Sequence, residues 1–258
     1  MPYRRLPNTD AARLRAINTA IQKAKSTEDS ELAISFTILQ KIEFFQPKFI
    51  LAIKNLKDAK KKQVSSSKDY NEKFKKAKIY ISHFIQAVNF CILREEMKES
   101  CREYYNIDSK DKTVPPLTHD IDIIKWGELV VKGEQKRMYS GGNPIYTPSI
   151  ANVSVNYTKF KSAYHMQKQL QKNTKRFSDG VAILRNEADS LIQKLWNEIE
   201  GHYAKIDNEN KRRLLCEEYG IKYVFRRHEI RPEQENEVKD LNLDGSEVFD
   251  YVDIEYMN

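Results

Sequence analysis

The sequence predicts an all-α protein, and three observations carry that expectation. Apolar residues recur at intervals of three and four over most of the chain, the spacing that gathers them on one face of a helix. Glycine and proline are scarce, 8 of each in 258 residues, so few points force a break. Hydrophobic residues make up 40% of the chain and charged residues 31%, the balance of amphipathic helices with solvated outer faces.

The elements follow in order. Asn8 to Asp10 offer side-chain acceptors that cap a first helix, whose Leu14, Ile17, Ile21 and Ala24 form one stripe. Leu32, Phe36, Leu39, Ile42, Phe49, Ile53 and Leu56 mark a second helix. Pro47 is expected to kink it, because proline removes one backbone donor. In the third, Tyr70, Phe74, Ala77, Ile81, Phe84, Val88 and Cys91 step alternately by 4 and 3, a heptad spacing that predicts close packing with Phe84 at its centre. Ser65 to Ser67 lie between the two, which predicts a turn and an antiparallel hairpin over about 29–106.

After Pro115 and Pro116, Thr118 or Asp120 starts a fourth helix through Trp126 and Val130, weakened by Gly127 and Gly133. The stretch SGGNPIYTP reads as a linker, about 139–150, between two halves; it has neither the GxxxxGK[ST] nor the GxGxxG spacing of a phosphate loop. Val153, Tyr157, Phe160, Tyr164, Gln167 and Leu170 form the next stripe, and Leu184, Ala188, Leu191, Leu195, Ile199 and His202 the one after. With a turn at Ser178-Asp179-Gly180 they predict a second hairpin over about 152–206. Asn208 caps a short helix ending at Gly220, and the alternation in IKYVFRR predicts a brief strand. Two long antiparallel hairpins pack most economically as a four-helix-bundle-like domain over residues 1–232. Two separate helical domains are the alternative. Residues 233–258 form an acidic C-terminal segment.

The segments RRLPNTDAARLRA, WGELVVKGEQKR, LIQKLWNEIEGHY and EYGIKYVFRR resemble a group of uncharacterised helical proteins from gut-dwelling bacteria. The likeness covers most of residues 1–228 and implies an all-helical bacterial protein. It brings no activity or site with it.

Several function classes lose ground at once. No apolar run approaches the length of a membrane span, and MPYRRLPNTD is not followed by a signal-peptide core. Three widely spaced cysteines (Cys91, Cys101, Cys216) suit a reducing compartment, so the expected location is cytoplasmic. No histidine follows a glutamate at the Glu-x-x-His spacing of di-iron bundles, there is no C-x-x-C pair, and there is no G-x-S-x-G elbow. No cofactor is expected. The sequence therefore points away from an enzyme; the alternative is a bundle enzyme or metal protein whose site is assembled from helix-facing His and Glu, with Glu198 and His202 as the nearest pair.

Charge is the stronger signal. Residues 54–78 hold ten lysines against Asp58, Asp69 and Glu72. The reading is a helical interaction or scaffold protein, without catalysis, that binds an acidic protein or nonspecific nucleic acid through lysine-rich hairpin tips. Lys57, Lys60, Lys61, Lys62, Lys68, Lys75 and Lys76 lie at one tip, and Lys172, Lys175 and Arg176 at the other.

A third reading is calcium binding through residues 240–250. Asp240, Asn242, Asp244 and Gly245 match the opening of a calcium loop, but Tyr251 stands where the bidentate glutamate belongs, leaving Asp250 as a substitute ligand. Residues 233–258 also carry nine acidic side chains against Lys239, so the remainder of a chain of net charge +7 carries +15. Such separation suggests a tail that covers part of the basic surface; the alternative is a disordered tail that only moderates the net charge.

Overall fold

The computed structural model describes residues 3–28, 31–108 and 113–226. They are predominantly helical, with one small antiparallel sheet. The chain divides into two compact units: Met1–Ile53 with Val181–Asn258, and Lys54–Gly180.

In the first unit, α1 (Asp10–Ser26) begins where Thr9 accepts the Ala12 N–H at 3.2 Å, which satisfies one of the open donors of the first turn. Its buried side, Ala16, Ile17, Ala20, Ile21 and Ala24, keeps Ile17, Ile21 and Ala24 of the stripe read from the sequence and adds Ala16 and Ala20, which let neighbours approach, while Leu14 is only half-buried. Two other helices pass through the unit, the N-terminal part of α2 (Phe36–Leu93) and the C-terminal part of α4 (Ile150–Tyr203). Ion pairs set their registers. Arg13 grips Asp189 with two bonds of 2.7 and 2.8 Å, Arg185 grips Asp10 with two of 2.7 Å, and Ser35 and Lys48 of the α2 side meet Glu198 and Glu187 of α4. Thus α1 runs parallel to α4 and α2 antiparallel to it.

Asn208 caps α5 (Glu209–Glu218) by accepting the Lys211 N–H. Gly220 then turns the chain with φ of +88°, a conformation that favours glycine. The expected strand is two residues, β2 (Tyr223–Val224). Its partner is β1 (Tyr3–Arg4), with Tyr3 opposite Val224 and Arg4 opposite Tyr223. Glu200 ties this ribbon down, accepting from Tyr223 at 2.8 Å and from Arg4 at 2.9 Å.

The second unit is built on the C-terminal part of α2, the 3-10 helix Glu99–Tyr105, α3 (Asp120–Tyr139) and the N-terminal part of α4. Its core is the heptad stripe of α2 (Ala77, Ile81, Phe84, Val88) together with Tyr105, Ile123, Val130, Val153, Tyr157 and Phe160. Phe84 is fully buried, edge-on to Tyr105. Asp122 accepts the His119 N–H at 2.9 Å and so starts α3; that bond holds its carboxyl below the ordinary range. The two glycines of α3 are contact points. A methyl group on Gly127 would enter the Tyr157 ring, and one on Gly133 would stand 2.5 Å from the Tyr104 carbonyl.

Three expectations need correction. The two hairpins, 29–106 and 152–206, do not form: α2 runs unbroken through Ser65–Ser67, and α4 through Ser178-Asp179-Gly180. Serine is a middling helix former that tolerates the interior, and Ser65 turns its hydroxyl back to the Lys62 carbonyl at 2.9 Å. Gly180 costs a long helix only about 1 kcal/mol. Pro47, expected to kink the second helix, lies inside α2 without ending it. Nor does the segment 139–150 separate two halves. It connects α3 to α4 inside the second unit, where Gly142 lies against the Arg137 guanidinium.

A methyl group on Gly180 meets nothing within 4 Å. Gly180→Ala is therefore expected to stabilise the protein by about 0.5 to 1 kcal/mol. A higher thermal midpoint checks this; a lower one would mean that a turn stands there.

Candidate functional site

Every lysine singled out from the sequence lies in the second unit. Lys57, Lys60, Lys61, Lys62, Lys68, Lys75 and Lys76 stand on α2, and Lys172, Lys175 and Arg176 on α4, all exposed. They are side faces of two continuous helices and not hairpin tips. Tyr70 and Phe74 of α2 both pack on Phe160 of α4, with ring centres 5.9 and 5.7 Å apart. That contact brings the neighbours of Phe74, Lys73, Lys75 and Lys76, to the part of α4 that carries Lys159 and Lys161. Lys159 and Lys161 lie far along α4 from the supposed turn at 178–180, outside the tip to which the sequence assigned the charge.

From 159 to 176, α4 holds five lysines, Arg176 and no acidic residue. Of the ten lysines of α2 between 54 and 78, Lys73 alone forms an ion pair among the described residues, with Asp69 at 2.7 Å. Lys161 and Lys168 lie over the rings of Tyr157 and Tyr164 at 5.9 and 5.3 Å, which holds those ammonium groups near the helix surface. The arrangement is a set of cations placed by rigid helices, with few carboxylates to neutralise it.

A second polar group in this unit is internal. Glu134 is completely buried and accepts two bonds from Arg137, at 2.7 and 2.8 Å, as well as the Tyr105 hydroxyl proton. Arg137 also donates to the Asn143 carbonyl at 2.6 Å. Burial and the Glu134 bond push the Tyr105 hydroxyl up, and the Glu134 carboxylate raises the Arg137 guanidinium. Each charge is matched, so the group is a fastening between α3, the 3-10 helix and the loop after α3. Cys91 and Cys101 are both half-buried and line one cleft of about 780 Å3 beside Arg137, and that cleft has no histidine.

The His and Glu of the bundle-enzyme alternative do not come together. His202 is exposed and packs edge-on to Tyr203, while Glu198 accepts both the N–H and the hydroxyl of Ser35. Among the described residues no three His, Cys, Asp or Glu side chains are grouped to hold a metal ion. Asp240, Asn242, Asp244 and Asp250 lie outside the described residues, as does the whole acidic segment 233–258. Among the described residues no helix is long and apolar enough to cross a membrane. Compared with protein-family models, with curated proteins and with solved structures, the chain matches none.

Proposed function

We propose that the protein is a helical interaction module whose second unit binds an acidic partner through the lysine faces of α2 and α4. The observation that carries this reading is the packing of Tyr70 and Phe74 on Phe160, which joins two lysine-rich stretches that hold a single ion pair among the described residues. Clustered lysines attract a polyanion at long range and release its condensed counterions on contact. They carry point charges without the forked geometry of arginine, so the recognition is of charge density and not of a particular group. The helices supply positions that cost little ordering on binding.

Titration with poly-glutamate and with duplex DNA at several salt concentrations tests the reading. The full chain is expected to bind polyanion with an affinity that falls steeply as salt rises. A variant with Lys75, Lys76, Lys159, Lys161, Lys172 and Lys175 changed to Gln is expected to lose at least about tenfold at low salt and to show a shallower slope. Its thermal midpoint should hardly move, because all six side chains are exposed. Equal affinities for the two proteins would contradict the reading.

A further inference from the structure

The first unit contains a cleft that the basic surface does not explain. It has a volume of about 880 Å3 and opens between the N-terminal segment, α1 and the chain from Glu217 to Val224. Its walls divide by chemistry. Leu6, Ala16, Ile221 and Val224 are apolar, and Trp196 of α4 lies among them. Arg5, Arg15 and Lys222 line the same cleft, and none has an ion-pair partner among the described residues. Glu217 is the one acidic residue on the wall among the described residues.

Trp196 is the odd member. It is 1% exposed, and its indole N–H meets no acceptor among the described residues. A buried donor left unpaired is costly, and nearly all such groups in proteins find a partner. Tyr223, which also lines the cleft, donates its hydroxyl proton to Glu200. The cleft therefore combines an apolar wall with three cations whose charge exceeds that of Glu217.

We propose that this cleft binds a small amphipathic carboxylate, a molecule with an apolar body and one carboxylate group. The body covers the aliphatic wall and the indole ring, and the carboxylate lies among Arg5, Arg15 and Lys222. Arginine matches a carboxylate with two parallel bonds, and a concave, mostly apolar site with a few placed polar groups is the usual form of a small-molecule pocket. Glu217 opposes the ligand's charge and selects against dianions. Partial burial already raises its carboxyl above the ordinary range.

Isothermal titration of the full chain with phenylbutyrate and with its neutral amide tests this. The carboxylate is expected to bind at millimolar or lower concentration, and the amide at least about tenfold more weakly, the loss of one charge-assisted contact. Arg15→Ala should weaken carboxylate binding, and Glu217→Gln should tighten it by about threefold to fivefold. The opposite signs separate a ligand contact from a general loss of structure, since both side chains are exposed and neither change should lower the thermal midpoint. Equal binding of acid and amide, no binding of either, or an unchanged affinity in Arg15→Ala would overturn the proposal. None of these results depends on the lysine faces of the second unit.

Discussion

Glu134→Ala is expected to destabilise the protein by about 3 to 5 kcal/mol. The change removes the carboxylate that takes two bonds from Arg137 and the proton of Tyr105. Arg137 is 4% exposed and Tyr105 1% exposed, so neither can turn to water for a replacement. An uncompensated guanidinium would remain inside the second unit, and that stranded charge accounts for most of the cost. Converting both partners at once, with Glu134→Leu and Arg137→Met, should cost much less, because no charge is left behind. Denaturant midpoints followed by circular dichroism compare the three proteins. A single variant as stable as the parent would remove the network from its place as the fastening of the unit.

Phe84→Ala is expected to cost a similar amount, about 3 to 5 kcal/mol, the transfer term of a large aromatic plus the cavity left behind. Phe84 has no exposed surface and packs edge-on against Tyr105, with ring centres 6.2 Å apart. Lys75→Ala, nine residues earlier on the same helix and exposed, is the control and should change the midpoint by less than about 0.5 kcal/mol. Equal midpoints for the two variants would mean that the heptad stripe does not face the core.

Periodicity made the inward faces legible, because a buried stripe must repeat with the helix. Ala77, Ile81, Phe84 and Val88 are all buried, as are Ile17, Ile21 and Ala24 of α1. Cys91, the last member of the heptad, is only half-buried, since α2 ends two residues later. Turns were much less legible. Polar triplets such as Ser65–Ser67 break a helix only when no favourable continuation competes, and the lysine-rich sequence around them is a good helix former. Gly127 and Gly133 read as weak points and are instead close-packing points, a role that depends on Tyr157 and Tyr104 arriving from elsewhere in the chain.

The same limit hid β1, since Tyr3 and Arg4 are too short a pair to show a period and become a strand only through Val224 and Tyr223. Of the Tyr105, Glu134 and Arg137 group, the i,i+3 spacing of the charged pair was readable, but Tyr105 lies 29 residues from Glu134. For the candidate surface, composition revealed the lysines, and only the packing on Phe160 revealed that the two stretches adjoin.

The proposed surface rests on α2 and α4 continuing through the two places where the sequence suggested turns. Backbone NMR of the full chain tests that most directly, through the Cα secondary shifts of Ser65 to Ser67 and of Ser178 to Gly180. The continuous helices of the structure predict helical shifts at all six residues, with amide exchange as slow as in the flanking turns. Turn or random-coil shifts at either triplet, with fast exchange confined to it, would contradict the account.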